Sequence, residues 1–284
     1  MSNSLPKGFR ASGMHAGLKS SGAFDLTLIE NCGPRFDAAA VYTTNKVVAA
    51  PVIWSREVTK GRLVRAAVLN SGGANACTGP DGFLDTHRTA EKVGESLSIS
   101  SGEVVVCSTG LIGERLPLEK ILGGIEKLSM QMSAESLEDV ARSIMTTDTV
   151  PKIASKDHAG VRTVGVAKGA GMLAPALATM LSVVMTDAIL PASAQEIFAR
   201  VNDRTFNRID SDGCMSTNDT VLLMGSGASG VELSLDDLEA VLMEICGSLA
   251  EQLIEDAEGS TKTVAIKVIG AKSERDAVEV ARAC

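Results

Sequence analysis

Six short apolar runs, most of them rich in β-branched residues and bounded by glycine, proline or small polar residues, constrain this chain more than any other feature. They are "LTLI" (26–29), "RAAVLN" (65–70), "EVVVCS" (103–108), "VRTVGVA" (161–167), "TMLSVVMTD" (179–187) and "KTVAIKVIG" (262–270). Runs of this length and composition predict buried strands. Between them lie segments with helical spacing. The clearest follows Ser234, where Asp237 completes a capping pair and Leu235, Leu238, Val241, Leu242, Ile245, Leu249 and Leu253 trace one face. Further helices are predicted at 84–97, 116–128, 134–145 and 192–202, and another after Ser273. The alternation is irregular, so the pattern predicts mixed α/β layers and not a strict βαβ barrel.

At 284 residues the chain is long enough to bury a substantial core. Its formal net charge of −8, scattered basic residues and 3% aromatics argue against nucleic acid as a partner. No window approaches the roughly 18 apolar residues of a membrane span, and the start of the chain has no secretory pattern. The six cysteines form no C-x-x-C pair and no zinc spacing, as expected of reduced thiols in a cytoplasmic protein.

Two motif matches fail on inspection. Gly169, Gly171 and Ala174 satisfy the weak dinucleotide fingerprint, but Pro175 falls where the phosphate-binding helix would run. "DSDGCMSTND" resembles a calcium loop, yet Val221 occupies the position that requires a bidentate carboxylate. His15, His87 and His158 accompany no nucleophile in a local motif. More informative are four clusters of glycine and hydroxyl residues, each beside a buried element: "NSGGANACTGPDG", "CSTGLIGERLP", "IMTTDTVPK" and "STNDTVLL". Such loops are where binding groups usually sit. Between "KGAG" and "MLSVVM", Thr179 stands at the joint of a Gly/Pro loop and an apolar run. A threonine needs a base to act as a nucleophile. Cleavage of the Ala178–Thr179 bond would supply one, an α-amine titrating near ~7.7–8.0.

Five ordered segments, "NSGGANACTG", "STGLIGERLP", "IMTTDTVPK", "KGAGMLAPALATML" and "STNDTVLL", resemble successive motifs of the ornithine acetyltransferase family. The likeness extends from Pro6 to Ala271. It implies an N-terminal-nucleophile enzyme with a layered α-β-β-α sandwich, self-cleaved between Ala178 and Thr179 into an α chain (1–178) and a β chain (179–284). By resemblance Thr179 is the nucleophile, and Thr109 and Gly110 form the oxyanion hole. Thr146, Lys168, Thr179 and Glu258 bind substrate. The implied reaction moves acetyl from N2-acetyl-L-ornithine to L-glutamate through an ester on Thr179, in arginine biosynthesis. Neither metal nor redox cofactor is expected; some members also take acetyl from acetyl-CoA. The family assembles as two α and two β chains in the cytoplasm. Its members continue past the equivalent of Cys284, so this chain is expected to be a C-terminally shortened form. The competing expectations are an inactive remnant, or a related amidase or aminopeptidase in which water replaces glutamate.

Overall fold

The computed structural model describes residues 4–173 and 180–284, and among these the strands form two sheets. The first contains β1 (Phe9–Met14), β2 (Leu26–Asn31), β4 (Ala66–Asn70) and β5 (Val104–Ser108), in the order β1-β2-β4-β5. The second contains β3 (Asp37–Tyr42), β6 (Lys152–His158), β7 (Val161–Lys168), β8 (Leu181–Thr186) and β9 (Thr220–Gly225), in the order β3-β9-β8-β7-β6. β4–β5 and β8–β9 are parallel pairs, and the remaining neighbours run antiparallel. The helices are α1 (Ala50–Thr59), α2 (Gly79–Leu97), α3 (Leu118–Ser129), α4 (Leu137–Ile144), α5 (Ala194–Arg204), α6 (Leu235–Glu255) and α7 (Glu274–Arg282).

Three layers of apolar contact stack these elements. Ile29, Leu69, Val105 and Cys107 of the first sheet meet Val164, Val166, Val183 and Leu222 of the second, with α4 closing the edge of this interior. The other face of the first sheet packs on α2 and α3 through Leu28, Val68, Val93, Ile121 and Ile125. The other face of the second packs on α5 and α6 through Val184, Leu223, Phe198, Ile245 and Leu249. The result is an α-β-β-α sandwich, as the resemblance implies. Every residue of β2, β4, β5, β8 and β9 is buried because both sheet faces are covered. That double burial is why these strands read as continuous apolar runs without alternation.

Five of the six predicted runs contain strands: β2, β4, β5, β7 and β8. The sixth, 262–270, does not. It forms no strand and pairs with none among the described residues, and Val264, Ile266 and Ile269 are exposed. Its β-branched composition has no neighbouring backbone to pair with, so propensity alone does not make it a strand. α1 and the start of α2 carry proline in their first turn, which hides a helix from a reading that treats proline as a stop. The predicted cap at Ser234 is present, its Oγ accepting the Asp237 N–H, and at the start of α7 Ser273 Oγ accepts the Asp276 N–H in the same way. No helix among the described residues is long and apolar enough to cross a membrane.

The second sheet draws β3, β6 and β7 from before residue 178 and β8 and β9 from after it, so both stretches share one hydrogen-bonded layer. Helix α6 lies closely over this sheet at Gly165 in β7. A Cβ there would come within 2.8 Å of Ile245 Cγ2 and Leu249 Cδ1. Gly165→Val therefore overpacks the contact, and we expect a loss of about 1–3 kcal/mol in urea unfolding.

Candidate active site

Lys168 is the last residue of β7, and the sheet register sets it opposite Leu181, the first residue of β8. Its side chain is buried, with 2% of the residue exposed. Nζ lies 3.4 Å from Thr109 Oγ1, which follows β5 in the first sheet. Two strand ends in different sheets are thereby joined across the interior. The Thr109 N–H is committed to the Asn70 carbonyl at 3.0 Å, so the group it has left to offer is the hydroxyl. With lysine donating to the oxygen, that hydroxyl keeps its proton for another acceptor.

Gly110 is exposed and adopts φ = 131°. A Cβ at this position would fall 2.8 Å from Gly73 N and 2.9 Å from Gly73 Cα. Only glycine lets the loop after β5 lie this close to the loop after β4.

Thr146 sits in the turn after α4, half-buried, with its N–H donating to Asp148 Oδ2 at 2.9 Å. The other oxygen of Asp148 accepts the Gly169 N–H and Lys152 Nζ, each at 2.7 Å. Lys152 is wholly buried and also donates to Asp256 Oδ2 at 2.6 Å. Asp256 in turn accepts both the N–H and the hydroxyl of Thr149. Glu258, two residues on, donates its N–H to the Ala170 carbonyl at 2.7 Å, and its carboxylate lies against Gly171. The sequence-predicted residues Thr109, Thr146, Lys168 and Glu258 thus belong to one continuous set of contacts around residues 168–171. Ala178 and Thr179 lie outside the described residues.

The groups that sequence reasoning missed are Asp148, Lys152 and Asp256. Asp148 stands in the motif "TTDTVPK", four residues before Lys152; that is a helical spacing, but α4 ends at Ile144 and Lys152 begins β6, so helix periodicity would not lead to the pair. The electrostatics follow from burial and pairing. Burial is the strongest influence on Lys168 and pushes its ammonium below the ordinary lysine range, against the pull of Asp148 and Asp219. Burial also opposes ionisation of Asp148. The attraction of Lys168 and Lys152, with the hydrogen bonds from Lys152 and Thr146, outweighs it and holds the carboxyl below the usual range. Asp256 is treated alike: burial opposes its charge, but Lys152 and Thr149 hold its carboxyl low. A buried cation whose hydrogen bond runs to a neutral hydroxyl is chemically suited to pairing with a carboxylate, and the hydroxyl beside it to stabilising an oxyanion.

Asp148 ionises more readily in the folded chain than in the unfolded one. Its contribution to stability is complete above the unfolded carboxyl value of about 3.9 and disappears as pH falls through the lower folded value. We expect Asp148→Asn to lower stability at neutral pH and to flatten the acid limb of a stability–pH profile measured by chemical denaturation.

Comparison with known proteins follows the same lines. The sequence profile of the ArgJ family matches residues 10–284. The chain is 54% identical over 283 residues to the arginine biosynthesis bifunctional protein ArgJ of Streptomyces avermitilis, covering 99% of this chain and 74% of that protein. Among solved structures, it resembles the ornithine acetyltransferase of Mycobacterium tuberculosis, crystallised with ornithine. The two share 43% identity at a TM-score of 0.55, over 64% of this chain and 98% of the other. An L-aminopeptidase D-Ala-esterase/amidase from Ochrobactrum anthropi, described as a variant of the Ntn hydrolase fold, superposes with a TM-score of 0.51. It covers 91% of this chain and 88% of its own at 11% identity, a likeness of fold alone.

Proposed function

Because the chain belongs to the ArgJ family, an acyltransferase family of arginine biosynthesis, we propose that it carries acetyl from N2-acetyl-L-ornithine to L-glutamate by way of Thr179. The observation that carries this reading is the buried Lys168 ammonium, 3.4 Å from the Thr109 hydroxyl and opposite Leu181, two residues beyond Thr179.

The chemistry has two phases. In the first, Thr179 Oγ attacks the Ala178 carbonyl carbon, the C–N bond breaks, and the hydroxyl proton passes to the departing nitrogen. Water then hydrolyses the resulting ester, leaving Thr179 with a free α-amine. Pairing between β7 and β8 keeps the two pieces together after the cut. In the second phase the α-amine takes the Thr179 hydroxyl proton while Oγ attacks the acetyl carbon of acetylornithine. The Thr109 hydroxyl and Gly110 N–H receive the developing oxyanion; a donor of this kind is worth about 2.7–4 kcal/mol in the transition state. The amide C–N bond breaks, its nitrogen takes the proton, and ornithine leaves. The amine of glutamate then attacks the ester carbon, the acetyl C–Oγ bond breaks, and the proton lost by that amine passes by way of the Thr179 α-amine to Oγ, regenerating Thr179.

Lys168 serves the α-carboxylate of either amino acid, a charge-assisted contact made stronger by burial. Glu258 serves an ammonium group, and Thr146 closes the pocket. Acetyl-CoA is a second acetyl donor for the same ester, and the working assembly has two α and two β chains. No bound metal or redox group enters any of these steps.

Intact-mass measurement of the purified protein is expected to find two chains, 1–178 and 179–284, and Thr179→Ala to remain whole. With acetylornithine as donor, acetylglutamate should form with parallel-line ping-pong kinetics. Release of acetate with no acceptor dependence would make the enzyme a hydrolase instead. An uncut wild-type chain that still transfers acetyl would overturn the proposal.

A further inference from the structure

The segment just before β9 touches both halves of the proposed catalytic arrangement, although neither Asn218 nor Asp219 has a part in the chemistry above. Asn218 and Asp219 are buried, the first 4% and the second 0% exposed. Asp219 Oδ1 accepts the N–H of Met180 at 2.9 Å, and the Met180 carbonyl accepts the N–H of Thr220 at 3.2 Å. Met180, the residue after the nucleophile, is therefore held from both of its backbone groups. Asn218 reaches the other way, into the first sheet. Its Nδ2 donates to the Ser108 carbonyl at 2.9 Å and to the Ala74 carbonyl at 2.6 Å. Ser108 precedes Thr109. Ala74 follows Gly73, which forms a β-bridge with Thr109 and lies against Gly110.

The Asn218 amide has one workable orientation. Its Oδ1 accepts the Thr217 hydroxyl at 2.6 Å, while both amide hydrogens are taken by carbonyls. A flipped amide would set an oxygen against two carbonyl oxygens. The segment itself is anchored by Thr43, whose hydroxyl donates to the Ser216 carbonyl at 2.6 Å and whose N–H donates to the Asp219 carbonyl at 3.0 Å. So the bracket cannot slide relative to the second sheet.

We infer that Asn218 and Asp219 are positioning residues that set the spacing between the residue after the nucleophile and the oxyanion loop. This inference rests on the reading of Thr179 as nucleophile. The two groups it joins come from different sheets, and acyl chemistry needs the attacking oxygen and the oxyanion donors fixed to well under an ångström. Asp219 acts through acceptance of one N–H. Burial pushes its carboxyl well above the ordinary carboxylate range, against the pull of the Met180 N–H, Ser216 and Lys168. Asparagine, neutral and of the same shape, therefore presents the same acceptor.

The test uses the full chain with Asp219→Ala, Asp219→Asn and Asn218→Ala, each checked for its native circular dichroism. Cleavage is followed by intact mass, and kcat and KM for acetyl transfer are measured on the cleaved fraction. Asp219→Ala should slow cleavage by about 10²-fold, the cost of a misplacement near 1 Å, and Asp219→Asn should restore most of that loss. Asn218→Ala should lower kcat of the cleaved enzyme by a similar factor, about 10²-fold, with KM little changed. The inference is overturned by a folded Asp219→Ala that cleaves at the wild-type rate, by an asparagine variant no better than alanine, or by Asn218→Ala with unchanged kcat. Should Asp219→Ala not fold, Asn218→Ala decides the matter alone. If the wild type proves uncut, the acetyl-transfer reading has failed. The bracket is then read from hydrogen exchange at the Met180 amide, expected protected in wild type and Asp219→Asn and open in Asp219→Ala. Equal exchange in all three overturns it.

Discussion

A lysine with no exposed surface sits between two carboxylates, and the geometry of the candidate site hangs from it. Lys152 Nζ donates to Asp148 and Asp256, and these two acids hold the turn at 146–149, the Gly169 N–H and the chain leading to Glu258. Removing one partner of such a buried set leaves an uncompensated charge, which costs about 3–5 kcal/mol. A well-packed apolar triad of the same shape could be equally stable. What it could not do is direct oxygen lone pairs at the N–H groups of Thr146, Thr149 and Gly169. The triad is best understood as a device for orientation, one that fixes three loop segments relative to one another.

That orientation matters because the second buried lysine is not neutralised in the same way. Lys152 spends its charge on two acids at hydrogen-bond distance, whereas the hydrogen bond from Lys168 runs to a neutral hydroxyl. Asp148 attracts Lys168 through space while its oxygens are occupied elsewhere. The site therefore contains a fully spent cation and a partly spent one, on the neighbouring strands β6 and β7. The first ties two loop carboxylates together, and the second keeps a charge that no carboxylate meets at hydrogen-bond distance among the described residues, as the proposed binding of a substrate carboxylate requires. Preorganisation of this kind lets a charge act without solvent-like reorganisation at the moment of reaction.

How much of this could be read from residues alone depended on burial. β2, β4, β5, β7 and β8 were legible because covering on both faces makes a strand continuously apolar. β1, β3 and β6 were not: "FRASGM", "DAAAVY" and "KIASKDH" mix small and polar residues, and each strand is only partly buried. The run 262–270 misled for the opposite reason, having the composition of a strand and no partner. Thr109, Thr146, Lys168 and Glu258 were reached through resemblance to a family, and their contacts give each a physical setting. Asp148 and Lys152 were beyond sequence reasoning. They are four residues apart and in contact, but one belongs to a turn and the other to the start of a strand, so neither helix nor strand periodicity joins them.

The layout of the two sheets explains why these loops converge at all. In the first sheet β4 and β5 run parallel, so both end on the same side, and the loops after them carry Gly73 and Thr109. In the second sheet β8 and β9 run parallel to each other and β7 runs antiparallel to β8. The end of β7 and the starts of β8 and β9 are therefore also neighbours. The Lys168–Thr109 contact shows that these two groups of strand ends face one another across the sandwich. A bond that breaks at the joint between β7 and β8 would cut the chain where both sides are already held, by antiparallel pairing on one side and parallel pairing on the other. Self-cleavage at such a point removes a covalent link without removing any strand from its sheet. A break there would leave the pairing of β7, β8 and β9 unchanged.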